Sequence, residues 1–106
     1  MAPSLSVVFA ALADPTRRAV VGRLSQGEAT VSELAAPHGM SLPAVSKHVG
    51  VLVGAGLVER RKEGRRVVCS LTAAPLVEAA AWLTDVTTYW EGALDRLERL
   101  VTEEDS

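Results

Sequence analysis

The sequence predicts a mainly α-helical fold with one small β-hairpin, in the order four helices, two strands and one long helix. Three observations predict it. Apolar residues recur at helical spacing between capping residues from Leu5 to Gly54, alternate with period two on either side of Gly64, and then form a heptad stripe from Leu76 to Val101. With 106 residues, 48% hydrophobic and 23% charged, the composition is that of one ordinary globular domain spanning 1–106. No apolar run approaches the roughly 18 residues that cross a bilayer, and the start of the chain lacks the basic-then-apolar order of a signal peptide. The expected compartment is therefore the cytoplasm, with no membrane partner.

The first helix places Leu5, Val8, Phe9 and Leu12 on one face and stops at Asp14-Pro15, because a residue before proline is pushed out of the α region. Asp14 as N-cap and Pro15 at the first helical position open the second helix, which runs to about Ser25 with Ala19, Val20 and Leu24 inward. Gly27 stops it. Thr30-Val31-Ser32-Glu33 has the form of a capping box, so a third helix runs to about Pro37. Gly39 supplies a turn, Ser41 caps a fourth helix, and Gly54 and Gly56 end it. Leu57 to Arg61 and Arg66 to Leu71 then read as strands around Lys62-Glu63-Gly64-Arg65, where Gly64 can take the positive φ of a tight hairpin.

Two short helices joined by a glycine-containing turn have the form of a helix-turn-helix, whose second member enters the DNA major groove. Here that member spans 41–54. Val45, Val49 and Leu52 fall at i, i+4 and i+7 and point inward, leaving Ser41, Pro43, Ala44, Ser46, Lys47 and His48 for base edges and flanking phosphates. The hairpin at 57–71 follows as a wing. Its Arg60, Arg61, Lys62, Arg65 and Arg66 are five cations within seven residues, placed to reach phosphates or a neighbouring minor groove. Such cations also keep a β-prone edge soluble and unpaired, but beside a helix-turn-helix the nucleic-acid reading is the stronger.

The distribution of charge agrees. The formal net charge is −2, yet residues 41–66 hold six basic side chains against Glu59 and Glu63, a net +4, while residues 67–106 hold two arginines against eight acids. In that last third, Leu76, Ala80, Leu83, Thr87, Trp90, Leu94, Leu97 and Val101 recur at alternating steps of four and three, and Trp82, Val86, Ala93 and Leu100 widen the seam. So broad a stripe on a chain with a modest core calls for two partners. The expected ones are the N-terminal helix 5–13 and a second copy of the chain, with Leu5, Phe9, Trp82, Leu83, Trp90, Leu94 and Leu97 at the dimer interface. An aromatic ligand pocket is the alternative use of Trp82, Tyr89 and Trp90, although aromatic residues at helical spacing more often form core or interface.

Five segments together resemble the ArsR/SmtB family of winged helix-turn-helix transcriptional repressors: Leu12-Ala13-Asp14-Pro15-Thr16-Arg17-Arg18, Val31-Ser32-Glu33-Leu34-Ala35, Ser46-Lys47-His48 with Val49 and Leu52, Gly56-Leu57-Val58, and Glu63-Gly64-Arg65. The resemblance runs from about Ser6 to Leu100. It implies a dimer built from helices at both ends (73–101 with 5–13), a DNA-binding core at 5–72, and residues at Ser46 and His48 that look toward DNA. It also implies a homodimeric repressor on a pseudo-palindromic double-stranded operator.

Metal-sensing members of that family carry cysteines in the third helix or carboxylate and histidine ligands on the C-terminal helix. Here the third helix has no cysteine and residues 73–106 have no His or Cys, so no metal site and no cofactor are expected. Cys69, the one cysteine, allows no disulfide framework and reads as a small buried hydrophobe. A redox role for it would draw on Arg65 and Arg66 to lower its pKa. His38 reads as an exposed turn residue. The alternatives to a DNA-binding repressor are a winged-helix protein-interaction module, which would be expected to lose the basic surface kept here, and a redox- or metal-responsive repressor. An enzyme is not expected, since no nucleophile-and-base set and no phosphate-binding glycine loop is present.

Overall fold

The computed structural model describes residues 4–104; residues 1–3 and 105–106 of the expected 1–106 domain lie outside the described residues. Helices α1 (Leu5–Ala11) and α2 (Pro15–Leu24) lead to a two-residue strand β1 (Ala29–Thr30), helix α3 (Val31–Ala35) and a 3-10 turn at Ala36–His38. Helix α4 (Leu42–Gly54), strands β2 (Val58–Glu63) and β3 (Arg66–Leu71), and helix α5 (Ala74–Glu104) follow. The strands form an antiparallel sheet in the order β1-β3-β2. The fold is a winged helix-turn-helix, mostly helical as expected.

The α1–α2 junction shows how the local sequence sets the fold. Asp14 takes extended backbone and its Oδ2 accepts from the Arg17 N–H at 3.0 Å, while Pro15 begins α2 where no amide donor is needed. Arg17 and Arg18 then reach backward. Arg17 Nε and Nη2 donate to the carbonyls of Ala11 and Ala10, and Arg18 Nη1 donates to Leu12 O at 2.8 Å. Ala10 O also accepts from the Ala13 N–H at 3.2 Å, and the two arginines supply donors to the carbonyls of Ala11 and Leu12 beyond it.

The capping box forms as expected: Thr30 Oγ1 accepts from the Glu33 N–H, and Glu33 Oε1 accepts from the Thr30 N–H, both at 3.1 Å. Thr30 serves a second purpose. Ala29 pairs with Cys69 and Thr30 with Val68, which ties the start of α3 to the hairpin as a third strand that the sequence reading did not include. Two residues are too few to show any period.

Three boundaries also differ. Helix α3 ends at Ala35 and tightens into 3-10 geometry around Pro37, followed by Gly39 at φ 60°. The hairpin loop is the two residues Gly64 and Arg65, with Gly64 at φ 61°, so Lys62 and Glu63 belong to the ladder opposite Val67 and Arg66. Helix α5 extends to Glu104, beyond the expected end at residue 101.

The core gathers Val8 and Ala11 from α1, Val20, Val21 and Leu24 from α2, Leu34 from α3, Val45, Val49 and Leu52 from α4, then Leu57, Val58, Cys69 and Ala79. Ala19, expected inward, is exposed, and Val21 is buried in its stead. Facing by positions 20, 21 and 24 buries two valines where 19, 20 and 24 would bury one valine and an alanine. Among the described residues, no helix is long and apolar enough to cross a membrane.

Both capping carboxylates are held below their ordinary pKa, Asp14 first by the Arg17 N–H and Glu33 first by the Thr30 N–H. A depressed folded-state pKa contributes stability that is complete above the ordinary carboxylate range near about pH 4 and is lost as pH falls through the folded value. Thermal unfolding from about pH 6 down to about pH 3 is therefore expected to show a falling Tm below about pH 4. The double variant Asp14→Asn, Glu33→Gln is expected to have the flatter profile over that range.

Candidate nucleic-acid interface

Helix α4 is fixed by its inner stripe. Val45, Val49 and Leu52 are each 0% exposed, so the positions between them must face outward. Ser41 Oγ accepts from the Ala44 N–H at 3.3 Å and starts the helix, with Pro43 in its first turn. Of the six outward residues expected, Ser41, Pro43 and Lys47 are exposed, whereas Ala44, Ser46 and His48 are half-buried. Leu42, which the sequence reading passed over, is also exposed.

Two arginines lie against this helix near Ser46 and His48. Arg60 lies against α4, its Nη1 3.5 Å from Ser46 O and its Nη2 3.8 Å from where a Cβ on Gly50 would stand. It braces the wing against the helix. Arg17 approaches from α2, with Nη1 3.4 Å from His48 Nδ1, and Asp14 Oδ2 lies 3.8 Å from the same nitrogen. His48 thus belongs to a cluster with the α1–α2 junction as well as to the outer face of α4.

The wing cations divide into three kinds. Arg60 is the brace. Arg61 is occupied: Nη1 donates to Glu28 Oε1 at 3.0 Å, Nη2 to Glu28 Oε2, and Nε to Glu63 Oε1 at 2.7 Å. This fork lowers the Glu28 pKa and raises that of Arg61, chiefly through the hydrogen bonds themselves. Lys62, Arg65 and Arg66 are exposed and, among the described residues, form no hydrogen bond or ion pair, though Arg66 acts through space on Glu33. These three, with Lys47, are the charges open to a partner. Between wing and helix runs an open groove of about 780 Å³ whose walls include Leu42, Pro43, Ser46, Lys62, Arg65 and Arg66. A cationic rim over a floor of small, hydroxyl and apolar side chains suits a polyanion with readable edges.

The expected interface residues separate likewise. Leu5 and Phe9 are half-buried and pack on the chain's own core, and Phe9 meets Trp82 edge to face at 5.8 Å. Trp82, Leu83, Trp90, Leu94 and Leu97 are about half exposed, as are Leu100 and Val101. Tyr89 stacks edge-on against Trp90 at 5.7 Å.

Cys69 is fully buried, as expected, and burial pushes its thiol pKa up. The opposing cation is Arg60, not Arg65 or Arg66, because strand pairing sets Arg60 directly across from Cys69. His38 is exposed. Among the described residues, no three metal-ligating side chains come together.

Comparison with known proteins agrees with this geometry. A family model described as a helix-turn-helix domain matches residues 12–61. The HTH-type transcriptional regulator Rv2034 of Mycobacterium tuberculosis is 45% identical over 94 residues, covering 89% of this chain and 85% of that protein. The transcriptional repressor SdpR of Bacillus subtilis is 30% identical over 76 residues, covering 72% and 84%. Among solved structures, the ArsR family transcriptional regulator RHA00566 superposes with a TM-score of 0.75 at 47% identity, over 86% of this chain and 97% of that one. A homodimeric winged helix-turn-helix DNA-binding domain from Mycobacterium bovis superposes with a TM-score of 0.64 at 31% identity, over 78% and 77%.

The occupied state of Arg61 separates it from its neighbours. In titrations of DNA binding against salt, Arg61→Ala is expected to change the slope by well under one unit, against about one unit for Arg65→Ala. Equal losses for the two variants would show that DNA displaces Glu28 from Arg61.

Proposed function

The chain belongs to the ArsR/SmtB family of winged helix-turn-helix transcriptional regulators, and we propose that it is a homodimeric repressor that binds a pseudo-palindromic operator. The observation that carries this reading is the open groove between α4 and the wing, with Lys62, Arg65 and Arg66 in its walls, beside the exposed Lys47 of α4. In the proposed complex α4 enters the major groove. Ser41, Pro43, Ala44, Ser46, Lys47 and His48 meet base edges or flanking phosphates, and the wing supplies the salt-dependent part of the affinity.

The dimer rests on a second observation. From Trp82 onward α5 holds a row of large apolar side chains exposed in the single chain, more than a monomer ordinarily leaves to water. A second copy would cover them with an equal stripe, as a two-fold interface requires. The M. bovis relative is a homodimer and the B. subtilis relative a repressor, which supports both parts of the reading. Two-fold symmetry then sets the half-sites about one helical turn, ~34–36 Å, apart. The protein would act in the cytoplasm as a binder and not as an enzyme.

Footprinting of the purified protein on DNA flanking its own coding region is expected to protect two inverted half-sites. Protection of no sequence, with capture of a protein partner instead, would favour an interaction module. On the protected site, Arg66→Ala is expected to weaken binding to every sequence and reduce the salt slope by about one unit, whereas Ser46→Ala or Lys47→Ala alters which bases are preferred.

Leu94→Glu places a charge within the exposed α5 stripe. Sedimentation equilibrium is expected to show the wild-type chain as a dimer and this variant as a folded monomer with weakened operator binding. A variant that stays dimeric would assign the stripe another partner.

A further inference from the structure

We infer that Arg17, outside the recognition helix, is a positioning residue for DNA reading: through its contact with His48 Nδ1 it keeps the ring proton on Nε2, so that α4 offers a hydrogen-bond donor at that position. The inference rests on the proposed approach of α4 to the major groove. Its basis is a conflict between two neighbours of one nitrogen. Arg17 Nη1 is 3.4 Å from His48 Nδ1, within hydrogen-bond reach, and Asp14 Oδ2 is 3.8 Å from it, outside that reach.

The two neighbours ask for opposite protons. A guanidinium has donors and no acceptor, so Nδ1 beside Arg17 must carry a lone pair, and the ring proton sits on Nε2. A carboxylate only accepts, so Nδ1 beside Asp14 alone would carry the proton and leave Nε2 as an acceptor. Arg17 wins because it is held in place. Its Nε and Nη2 are fixed on the carbonyls of Ala11 and Ala10, which leaves Nη1 aimed at the ring, while Asp14 Oδ2 already accepts from the Arg17 N–H. Turning the ring over would set a carbon against the guanidinium and lose the bond. The imidazole is half-buried in this cluster, its side chain 22% exposed, and so is positioned before any DNA arrives.

The tautomer decides what His48 can read. An Nε2–H donates to guanine O6 or N7, adenine N7, thymine O4 or a phosphate, and has nothing to offer the amino groups of cytosine or adenine. The opposite tautomer reverses that preference. A residue of α2 thereby sets one position of the sequence specificity without touching DNA, just as the second partner of a histidine fixes its chemistry elsewhere.

The test combines the tautomer with base selection. Nitrogen-15 NMR of the histidine-labelled full chain at about pH 8.5, where an ordinary histidine is neutral, is expected to show Nδ1 of His48 unprotonated, with exposed His38 as reference. Arg17→Met is expected to move His48 toward the Nδ1–H form, and Arg17→Lys, which restores a donor, to bring it back. In selection from a randomised operator pool, wild type and Arg17→Lys are expected to recover an acceptor-bearing base at one step of each half-site. There Arg17→Met shifts to cytosine, the base with no major-groove acceptor, and His48→Ala loses an about tenfold preference.

Protonated Nδ1 in the wild-type chain overturns the inference, and that measurement needs no variant to fold. An unchanged tautomer in a folded Arg17→Met chain overturns it too. An unchanged preference in His48→Ala, with operator binding intact, removes His48 from base reading but leaves the repressor assignment standing. Failure of the wild-type chain to select any DNA removes the assignment itself.

Discussion

The outward face of α4, the proposed reading surface, depends on the complete burial of Val45, Val49 and Leu52. Each such side chain contributes about 1.5–3 kcal/mol on leaving water, and the three lie on one stripe facing Leu34, Leu57 and the α2 valines. A helix that slips by one residue turns its side chains by about 100°, which would expose this stripe and turn either Ser46 and Gly50 or Ala44 and His48 toward the core in its place. The core therefore sets the outward face without any contact to DNA. The Thr30 box and the β1 pairing hold α3 to the same core, so the two helices of the motif keep one fixed relation.

Charge on that surface is sparse and unevenly available. On α4, Lys47 is the one lysine or arginine, so most of the proposed phosphate attraction falls to the wing. Yet the five wing cations are not equally unoccupied. Arg60 is spent bracing β2 on α4, and Arg61 is held by Glu28 and Glu63, leaving Lys62, Arg65 and Arg66. The exposed ion pairs of Arg61 add little stability, but they tether the wing to the segment before β1 and give it a defined position. The net charge of −2 is no obstacle, because seven of the acids, Glu78, Asp85, Glu91, Asp95, Glu98, Glu103 and Glu104, lie on α5, well along the chain from the basic groove.

What was legible in the sequence is what local chemistry encodes. Asp14-Pro15, the Thr30–Glu33 box, Ser41 and Gly64 mark boundaries because each satisfies backbone groups within a few residues of itself. The inward stripe of α4 and the seam of α5 were legible because a period repeats. What was missed lies across the chain. The Arg61–Glu28 fork joins residues 33 apart, the Arg17–His48 contact joins residues 31 apart, and β1 exists only because β3 offers it a ladder. The choice of Val21 over Ala19 likewise depends on how α2 sits on the core, which single-helix periodicity leaves open between adjacent positions. The availability of the candidate contact residues was not legible, because a cation already paired looks the same in sequence as one that is free.

The proposed dimer and the proposed reading head meet at one junction. Helix α1 carries Phe9 against Trp82 at the root of the exposed α5 stripe, and its last carbonyls are the anchors of Arg17. Arg17 in turn contacts His48 on α4. Any displacement of the end of α1 relative to α4 must either move the guanidinium off the imidazole or drag it off the carbonyls, since one rigid planar group cannot satisfy both at a new spacing. The end of α1, the Arg17 guanidinium and the His48 ring are therefore fixed together, and packing at the α1–α5 face contributes to the position of all three. A single side chain thus joins the α1 end of the proposed dimer face to His48 on the proposed reading helix.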